Sequence, residues 1–388
     1  MKNWIVAAIG CLASASAFAD YAVPLEIGAR RQAAVELNTK GQTEYRIETP
    51  DAAYIKVDFG KLQLAPGAEL SVSNADGSEI YRYSSDKRDG YTYDVEAGQD
   101  GIGSFAAMSI SGPVAIVRLQ PGLTSSRAGS SVQVTGYYEG YPEAVLAQLD
   151  QQELLGSTES GRSICGVDDK RDVACYGTTS LPYSKHRPIA RLLIGGRSLC
   201  TGWRVGSGDR MLTNNHCFTT SAQAAGTEVW FNYQRTTCGG TTNATTTKVT
   251  GKSVLRTDYT LDYTLYTINN PSTVSSFGYL SLDVRAPVTN EEIFIVQHPG
   301  GKPKQIGSIS DRDTGNTCRI NIASTSGNGT ATDAGYYCDT EGGSSGSPVL
   351  ARSSGKVIAL HHLGGCVNKG VRIDRIWPQI QGYFPSVP

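Results

Sequence analysis

The sequence predicts an all-β protein built from two separately folded units. Short runs of alternating apolar and polar residues, separated by Gly, Pro, Asn and Asp, recur along most of the 388-residue chain, as expected for half-buried β-strands. Residues 20–164 contain neither Cys nor His, whereas eight Cys lie beyond them. The chain also becomes rich in Ser, Thr and Gly from about residue 163. We therefore place a boundary between the units near residue 162.

The charge balance excludes some classes of partner. The 35 basic and 36 acidic side chains nearly cancel, and binding to nucleic acid or to an anionic membrane surface favours a basic excess. Beyond the first twenty residues, no apolar run approaches the ~20 residues needed to cross a bilayer. We expect a soluble monomer with no nucleic-acid or membrane partner.

The first nineteen residues are typical of a secretory signal. Lys2 precedes a short apolar stretch, and small residues lead to Ala19, which predicts cleavage between Ala19 and Asp20. A buried N-terminal element and lipid attachment at Cys11 are the alternatives, although the residues before Cys11 match a lipid-attachment site poorly. We expect secretion to the cell exterior, with passage through the periplasm of a bacterial source.

The cysteines that remain after signal removal predict disulfide bonds. Their number is even and an exported chain meets an oxidising environment. Zinc binding is the competing interpretation, but the sequence has no Cys-x-x-Cys pair. The eight residues are Cys165, Cys175, Cys200, Cys217, Cys238, Cys318, Cys338 and Cys366.

Residues 20–162 form the predicted N-terminal unit, a β-sandwich or a similar sheet domain. Its strands alternate with turn dipeptides such as Asp76-Gly77, and it carries no residue pattern with evident chemistry. Residues 142–155 are its one convincing helix. The small, polar stretch 156–162 reads as an exposed linker, so we expect maturation to cut between Arg162 and Ser163.

Three segments of the second unit carry candidate catalytic side chains. They are Met211–Cys217 with His216, Leu261–Ile268 with Asp262, and Thr340–Val349 with Ser345. A serine hydroxyl needs a histidine as base, and the histidine needs a carboxylate to fix its tautomer. Glycines beside the serine let backbone N–H groups converge on a developing oxyanion. Together the segments supply the groups needed for acyl transfer.

These segments resemble the chymotrypsin-type serine proteases. The chain order His, Asp, Ser, the segment Thr213-Asn-Asn-His-Cys217 and the turn Gly343-Ser-Ser-Gly-Ser-Pro348 all have counterparts there. The similarity is closer to bacterial lysyl endopeptidases, which also share the patterns at 229–238 and 293–299. Glutamyl endopeptidases share the serine turn. The resemblance covers about residues 163–384.

The resemblance implies a double β-barrel trypsin-like domain at residues 163–388. In it His216 is general base and acid, Asp262 orients His216, and Ser345 attacks the scissile carbonyl. The N–H groups of Gly343 and Ser345 form the oxyanion hole. No metal or organic cofactor is needed. Asp258 is a rival for the carboxylate, but its choice would force Asp262 into the interior of the strand that follows.

The resemblance also implies a pocket that selects substrates. Asp339, six residues before Ser345, matches the carboxylate at the pocket floor of trypsin-like enzymes, which predicts cleavage after Arg or Lys. Lysyl endopeptidases instead place an acid in the loop after the last cysteine, and residues 367–369 contain none. A preference for Glu, served by a histidine, is the alternative. The remaining pocket candidates are Thr340, His361, His362, Gly364, Gly365 and Gly370.

A disulfide pairing follows from the resemblance as well. Cys200–Cys217 is common to the superfamily, and Cys175–Cys238 and Cys165–Cys366 carry over from lysyl endopeptidases. The remaining pair is Cys318–Cys338.

Taken together, the residues and the resemblance predict a secreted zymogen. Residues 1–19 are the signal, 20–162 a β-rich propeptide, and 163–388 a serine endopeptidase acting on proteins or peptides. The partners are therefore peptide substrates and the chain's own propeptide. One alternative is an inactive, protease-like binding module. Another is that the N-terminal unit is the functional part, which the protease merely releases.

Overall fold

The computed structural model describes residues 23–122, 129–156 and 163–388. The signal residues 1–19, including Ala19 and Cys11, lie outside the described residues, as do Asp20 and Arg162. Both predicted cleavage sites therefore remain predictions. Within the described ranges, no helix has the length and apolarity needed to span a bilayer.

The N-terminal unit is a sandwich of two antiparallel sheets. One sheet has the order β2-β11-β4-β8-β7, with β9 also paired to β4, and the other has the order β3-β10-β5-β6. Their facing side chains, including Val57, Phe59, Phe105 and Val117, are buried in one core. The strands are β1 Leu25–Glu26, β2 Gly28–Asn38, β3 Glu44–Glu48, β4 Tyr54–Gln63, β5 Glu69–Ser73, β6 Ile80–Tyr83, β7 Tyr91–Thr92, β8 Phe105–Ala107, β9 Ile110–Ser111, β10 Val114–Gln120 and β11 Ser131–Gly140.

The predicted helix follows the sandwich as α1, Glu143–Gly156. An acidic residue in the first turn, Glu143, complements the positive end of the helix dipole. Leu146 is buried against the protease-like unit, so the start of the helix packs at the boundary between the two units.

The first half of the second unit is a closed six-stranded barrel. Its strand order is β14-β13-β16-β17-β18-β15, and pairing of β14 with β15 closes it. The strands are β13 Ile189–Ile194, β14 Ser198–Arg204, β15 Arg210–Thr213, β16 Thr227–Phe231, β17 Thr247–Asp258 and β18 Tyr263–Ile268. Two short helices accompany them, α2 Leu181–Lys185 and α3 Ser221–Ala225.

The second half is an eight-stranded half-barrel with the order β12-β20-β19-β23-β24-β25-β22-β21. The helix α4, Ile373–Ile380, packs its buried isoleucines against it. The strands are β12 Arg171–Asp172, β19 Ile293–Gln297, β20 Gln305–Gly307, β21 Ile320–Thr325, β22 Asp333–Tyr336, β23 Pro348–Ala351, β24 Val357–Leu363 and β25 Asn368–Arg372.

The candidate catalytic residues lie on connections between these strands. His216 follows β15, Asp262 lies between β17 and β18, and Ser345 lies between β22 and β23. A shared apolar core, which includes Trp203 from the first barrel and Leu360 from the half-barrel, holds the two halves together. The prediction of an all-β chain, with a sandwich-like unit before a trypsin-like double barrel, is confirmed.

Candidate active site

His216 and Asp262 are joined by two hydrogen bonds. The backbone N–H of His216 donates to Asp262 Oδ1 at 2.9 Å, and His216 Nδ1 lies 2.7 Å from Asp262 Oδ2. Both side chains are fully buried. Because the carboxylate binds Nδ1, the other ring nitrogen, Nε2, is the one left to exchange a proton with a nucleophile.

Asp262 adopts a backbone conformation that the tertiary structure must support. Its φ of +41° is in the left-handed region, which is unfavourable for residues other than glycine. Asn214 holds it there by donating from Nδ2 to the Asp262 carbonyl at 2.7 Å. Asp258, the rival candidate, instead accepts hydrogen bonds from Leu261 and Gln379.

The turn that carries Ser345 requires glycine on both sides. Gly343 and Gly346 have φ values of +89° and +88°. A Cβ on Gly343 would lie 2.3 Å from Leu199, and a Cβ on Gly346 would lie 2.1 Å from the Thr201 carbonyl. Only glycine lets the turn approach strand β14 so closely, which explains the Gly-x-Ser-Gly spacing.

Strand β14 holds this turn beside the histidine. The Thr201 backbone N–H donates to the Ser345 carbonyl at 2.8 Å, and the Thr201 hydroxyl donates to the Gly343 carbonyl at 2.9 Å. The neighbouring Cys200 is joined by a disulfide to Cys217, the residue after His216. One strand therefore positions the serine turn and the histidine together.

A second histidine extends the site. His362 Nδ1 lies 3.1 Å from Asp262 Oδ2, and its Nε2 lies 2.5 Å from Asp333 Oδ2. Burial alone lowers the pKa of His362, but the hydrogen bonds to the two carboxylates raise it to about 9. Burial also opposes ionisation of Asp262, yet the bonds from His216 and His362 hold its pKa well below the ordinary range.

The resemblance implies a place for His362 in the pocket, and the sequence gives Asp333 no role in the site. Both nitrogens of His362 are occupied by carboxylates, so this histidine supports the Asp–His pair and is not available to a substrate. Asp333 begins strand β22 and is fully buried. Asp333 lies 71 residues after Asp262 in the chain, and nothing in the sequence signals that the two residues bind one histidine.

The carboxylate of Asp339, the expected pocket floor, accepts hydrogen bonds from a distant segment of the chain. Its carboxylate accepts the backbone N–H of Cys165 at 2.8 Å through Oδ1 and that of Asp169 at 2.8 Å through Oδ2. The side chain is buried, and burial raises the pKa of this carboxyl to about 6. In this structure Asp339 anchors the segment 165–169, and its role as the pocket floor stays a prediction.

Two further pocket candidates pack around Tyr336. The Tyr336 hydroxyl lies 2.8 Å from His361 Nδ1, and a Cβ on Gly370 would lie 2.9 Å from that hydroxyl. Gly370 therefore makes room for Tyr336, where the resemblance implied an open pocket. Burial lowers the pKa of His361 to about 3, so this ring is neutral and offers no charge to an acidic substrate.

The last three candidates surround Ser163. The Thr340 backbone N–H and Asn368 Nδ2 both donate to the Ser163 carbonyl, and a Cβ on Gly364 would lie 2.1 Å from its hydroxyl. Gly365 donates its N–H to Asn368 Oδ1. Thr340 and Gly364, both expected to line a pocket, thus lie against Ser163.

Four disulfides connect the second unit, and they are the pairs that the resemblance implies. Each has a Cα–Cα separation between 4.6 and 6.2 Å, within the usual range. They are Cys165–Cys366, Cys175–Cys238, Cys200–Cys217 and Cys318–Cys338.

A closed barrel packed on a half-barrel, with histidine, aspartate and serine on connections between strands, defines the trypsin-like class of serine proteases. Comparison with known families identifies the branch. The family described as "Lysyl endopeptidase, C-terminal domain" matches residues 165–370, and the chain belongs to this family.

The chain is also similar to individual proteins. It is 33% identical over 344 residues to "Secreted RxLR effector protein 73" of Plasmopara viticola, covering 84% of this chain and 79% of that protein. A solved Glu endopeptidase is 22% identical, covering 57% of this chain and 98% of the other, with a TM-score of 0.40. The active form of the Rv3671c protease from M. tuberculosis is 13% identical, covering 53% and 84%, with a TM-score of 0.37.

Proposed function

We propose that the protein is a serine endopeptidase, secreted as a zymogen, that cleaves peptide bonds through Ser345, His216 and Asp262. The observation that carries this proposal is the Asp262–His216 pair, which is joined by two hydrogen bonds. Strand β14 holds this pair to the serine turn. Membership of the lysyl endopeptidase family supports it.

The chemistry follows from the roles of the three side chains. Ser345 Oγ attacks the scissile carbonyl while His216 Nε2 takes its proton, and His216 then gives that proton to the leaving amine. Water then attacks the acyl-enzyme ester while His216 Nε2 takes its proton. His216 returns that proton to Ser345 Oγ as the acyl group leaves. Asp262 stabilises the imidazolium that forms in each half.

The oxyanion is stabilised by the N–H groups of Gly343 and Ser345 in this proposal. The left-handed conformation of Gly343 turns the backbone within the serine loop, and nearby hydrogen bonds fix that loop. Ser344 N–H donates to the Glu341 carbonyl and Gly346 N–H donates to the His361 carbonyl. Donors fixed before the reaction stabilise the charge without a reorganisation cost.

We assign cleavage after Lys or Arg as the substrate preference. Its support is now the family match, since Asp339 is committed to backbone groups. The lowered pKa of His361 and the two carboxylates that bind His362 weigh against the alternative preference for Glu. The proposed processing consists of signal removal between Ala19 and Asp20 and of maturation between Arg162 and Ser163.

A second candidate function is binding without catalysis. It is favoured by one observation, the 33% identity with a protein named as a secreted effector. In this case the histidine–aspartate pair would be a structural remnant, and the N-terminal unit or the cleft would carry the binding.

A fluorophosphonate reagent separates these candidates. It reacts with an activated serine, so it should label the wild-type protein at Ser345 and leave Ser345→Ala unlabelled. A peptide-library digest then reports the residue before the cut. A folded protein that resists the reagent would reject the endopeptidase in favour of the binding function.

A further inference from the structure

The N-terminal unit adds a strand to the protease barrel beside the serine turn. Leu25 and Glu26, which form β1, pair antiparallel with Leu199 and Ser198 of β14. The Ile27 backbone N–H extends this contact by donating to the Arg197 carbonyl at 2.7 Å. In the described residues, β1 occupies the edge of β14 that β13 does not pair with at this point.

This strand lies against the proposed oxyanion loop. A Cβ on Gly342 would lie 3.3 Å from Leu25 Cδ1, and the side chain of Leu199 contacts Gly343. Thr201, two residues along β14, binds the carbonyls of Gly343 and Ser345. A peptide whose carbonyl sits over this loop must run past the same edge within a residue or two, so it competes with β1 for that edge.

A buried ion pair holds the N-terminal unit in this position. Lys56 of β4 donates to Glu228 of β16 at 2.5 Å, and both side chains are almost fully buried. Ser109 adds two hydrogen bonds to the same carboxylate, from its N–H at 2.9 Å and its hydroxyl at 2.6 Å. Without the N-terminal unit, Glu228 would lose these three hydrogen bonds.

Three further hydrogen bonds between the two units flank this ion pair. Lys248 of β17 donates to Glu79 and to the Ser109 carbonyl, each at 2.7 Å, and the Tyr54 hydroxyl donates to the Gly196 carbonyl at 2.9 Å. Buried, hydrogen-bonded charges discriminate strongly against a displaced partner, because displacement leaves a charge unpaired. The contact is therefore specific in register and position.

We infer that the N-terminal unit is a built-in inhibitor that covers one arm of the substrate cleft through Leu25–Glu26 and is held there by the Lys56–Glu228 pair. This inference rests on the proposed endopeptidase function. An inhibitor placed in this way discriminates between substrates by their size. A small reagent reaches Ser345 past β1, whereas an extended polypeptide cannot add its own strand to β14. The inhibition persists after the linker is cut, until the two parts separate.

Two readouts on the full-length chain test the inference. The chain carries Arg162→Gln to keep the linker intact, and the readouts are labelling by a fluorophosphonate and hydrolysis of dye-quenched casein. The uncut chain should be labelled but hydrolyse casein slowly. Leu25→Asp should raise casein hydrolysis by about tenfold or more, as expected for the loss of a few contacts at ~1.4 kcal/mol per decade, with the labelling rate unchanged.

Ile102→Asp is the matched control, because this exposed side chain lies on the same unit away from the contact. It should alter neither readout. A melting curve shows whether Leu25→Asp is folded. If the folded variant is labelled normally and hydrolyses casein no faster than the uncut wild type, the inference is wrong and the proposed function stands. If no variant is labelled, the proposed function fails and the inference fails with it.

The ion pair is tested after the linker is cut at a specific protease site placed within residues 157–162. The two parts of the wild type should elute together on gel filtration and stay inactive on casein. Lys56→Met should weaken their association by about 10²-fold and release casein activity, while Lys87→Met at an exposed position should not. Separation of the wild-type parts at micromolar concentration would overturn the persistence of inhibition.

Discussion

His362 binds the same carboxylate oxygen of Asp262 that His216 binds. The Nδ1 atoms of His216 and His362 lie 2.7 and 3.1 Å from Asp262 Oδ2. The carboxylate is thus held from two sides, and its orientation toward His216 does not depend on one contact alone. His362 in turn is fixed by Asp333.

The pH dependence of stability should report this arrangement. The folded-state pKa of His362, about 9, exceeds the ordinary value of about 6.5. The resulting stabilisation is complete below about pH 6.5 and is lost as the pH rises toward 9. Chemical denaturation should show a stability difference between wild type and His362→Gln that is on the order of 3 kcal/mol at pH 6 and shrinks by pH 10.

His362→Gln should also lower kcat, by roughly tenfold, with little change in KM, because Asp262 loses one of its supports. His186→Gln serves as a histidine control away from the site. A stability difference that stays constant from pH 6 to pH 10 would show that His362 is not charged in the folded protein.

Replacement of the proposed nucleophile should remove activity. Ser345→Ala is expected to reduce the rate of peptide hydrolysis by on the order of 10⁶-fold, since neither remaining member of the proposed triad can attack a carbonyl. Ser353→Ala changes an exposed serine of the same unit and should leave the rate unaltered. Casein hydrolysis by the mature form measures both, and substantial turnover by Ser345→Ala would refute the assignment.

Asp339→Asn distinguishes an anchor from a pocket floor. If the Asp339 carboxylate pairs with the substrate, its neutralisation should lower the turnover of Lys and Arg peptides by about 10²–10³-fold. The hydrogen bonds that the carboxylate accepts from Cys165 and Asp169 instead predict that turnover falls by less than about tenfold. They also predict that the free energy of unfolding falls by about 1–3 kcal/mol. Kinetics and urea denaturation of one variant decide between them.

Two disulfides can be compared directly. Cys165–Cys366 spans 201 residues and Cys175–Cys238 spans 63, so the first restricts the unfolded chain more. Its removal by paired Cys→Ala changes should cost about 1 kcal/mol more in the free energy of unfolding, out of about 2–5 kcal/mol for either. Equal losses in denaturation experiments would indicate that native contacts, such as those of Asp339, dominate.

Much of the fold and part of the site were accessible from sequence. The first half of strand β11 alternates partly buried and buried residues, as the alternating runs in the sequence predict, because a half-buried strand imposes a period of two on its own residues. Gly343 and Gly346 were recognisable for the same local reason, since the turn between them requires backbone conformations that glycine adopts freely. The family pattern then linked these segments.

The pocket could not be predicted in the same way. Asp339 stands at a position whose counterpart in trypsin-like enzymes faces the substrate, yet its carboxylate caps the segment 165–169. Whether this carboxylate faces the substrate or binds backbone groups depends on partners about 170 residues earlier in the chain. Position counted from Ser345 carries no information about that partner.

The sequence by itself determined the all-β class, the order of histidine, aspartate and serine, and the glycines of the serine turn, because these depend on local conformation and on residue chemistry. Only the tertiary structure decided that His362 bridges Asp262 and Asp333 and that Lys56 meets Glu228 across the two units. Those contacts join residues between 29 and 172 positions apart. Burial then sets their charges, since it makes an unpaired charge costly and a paired one persistent.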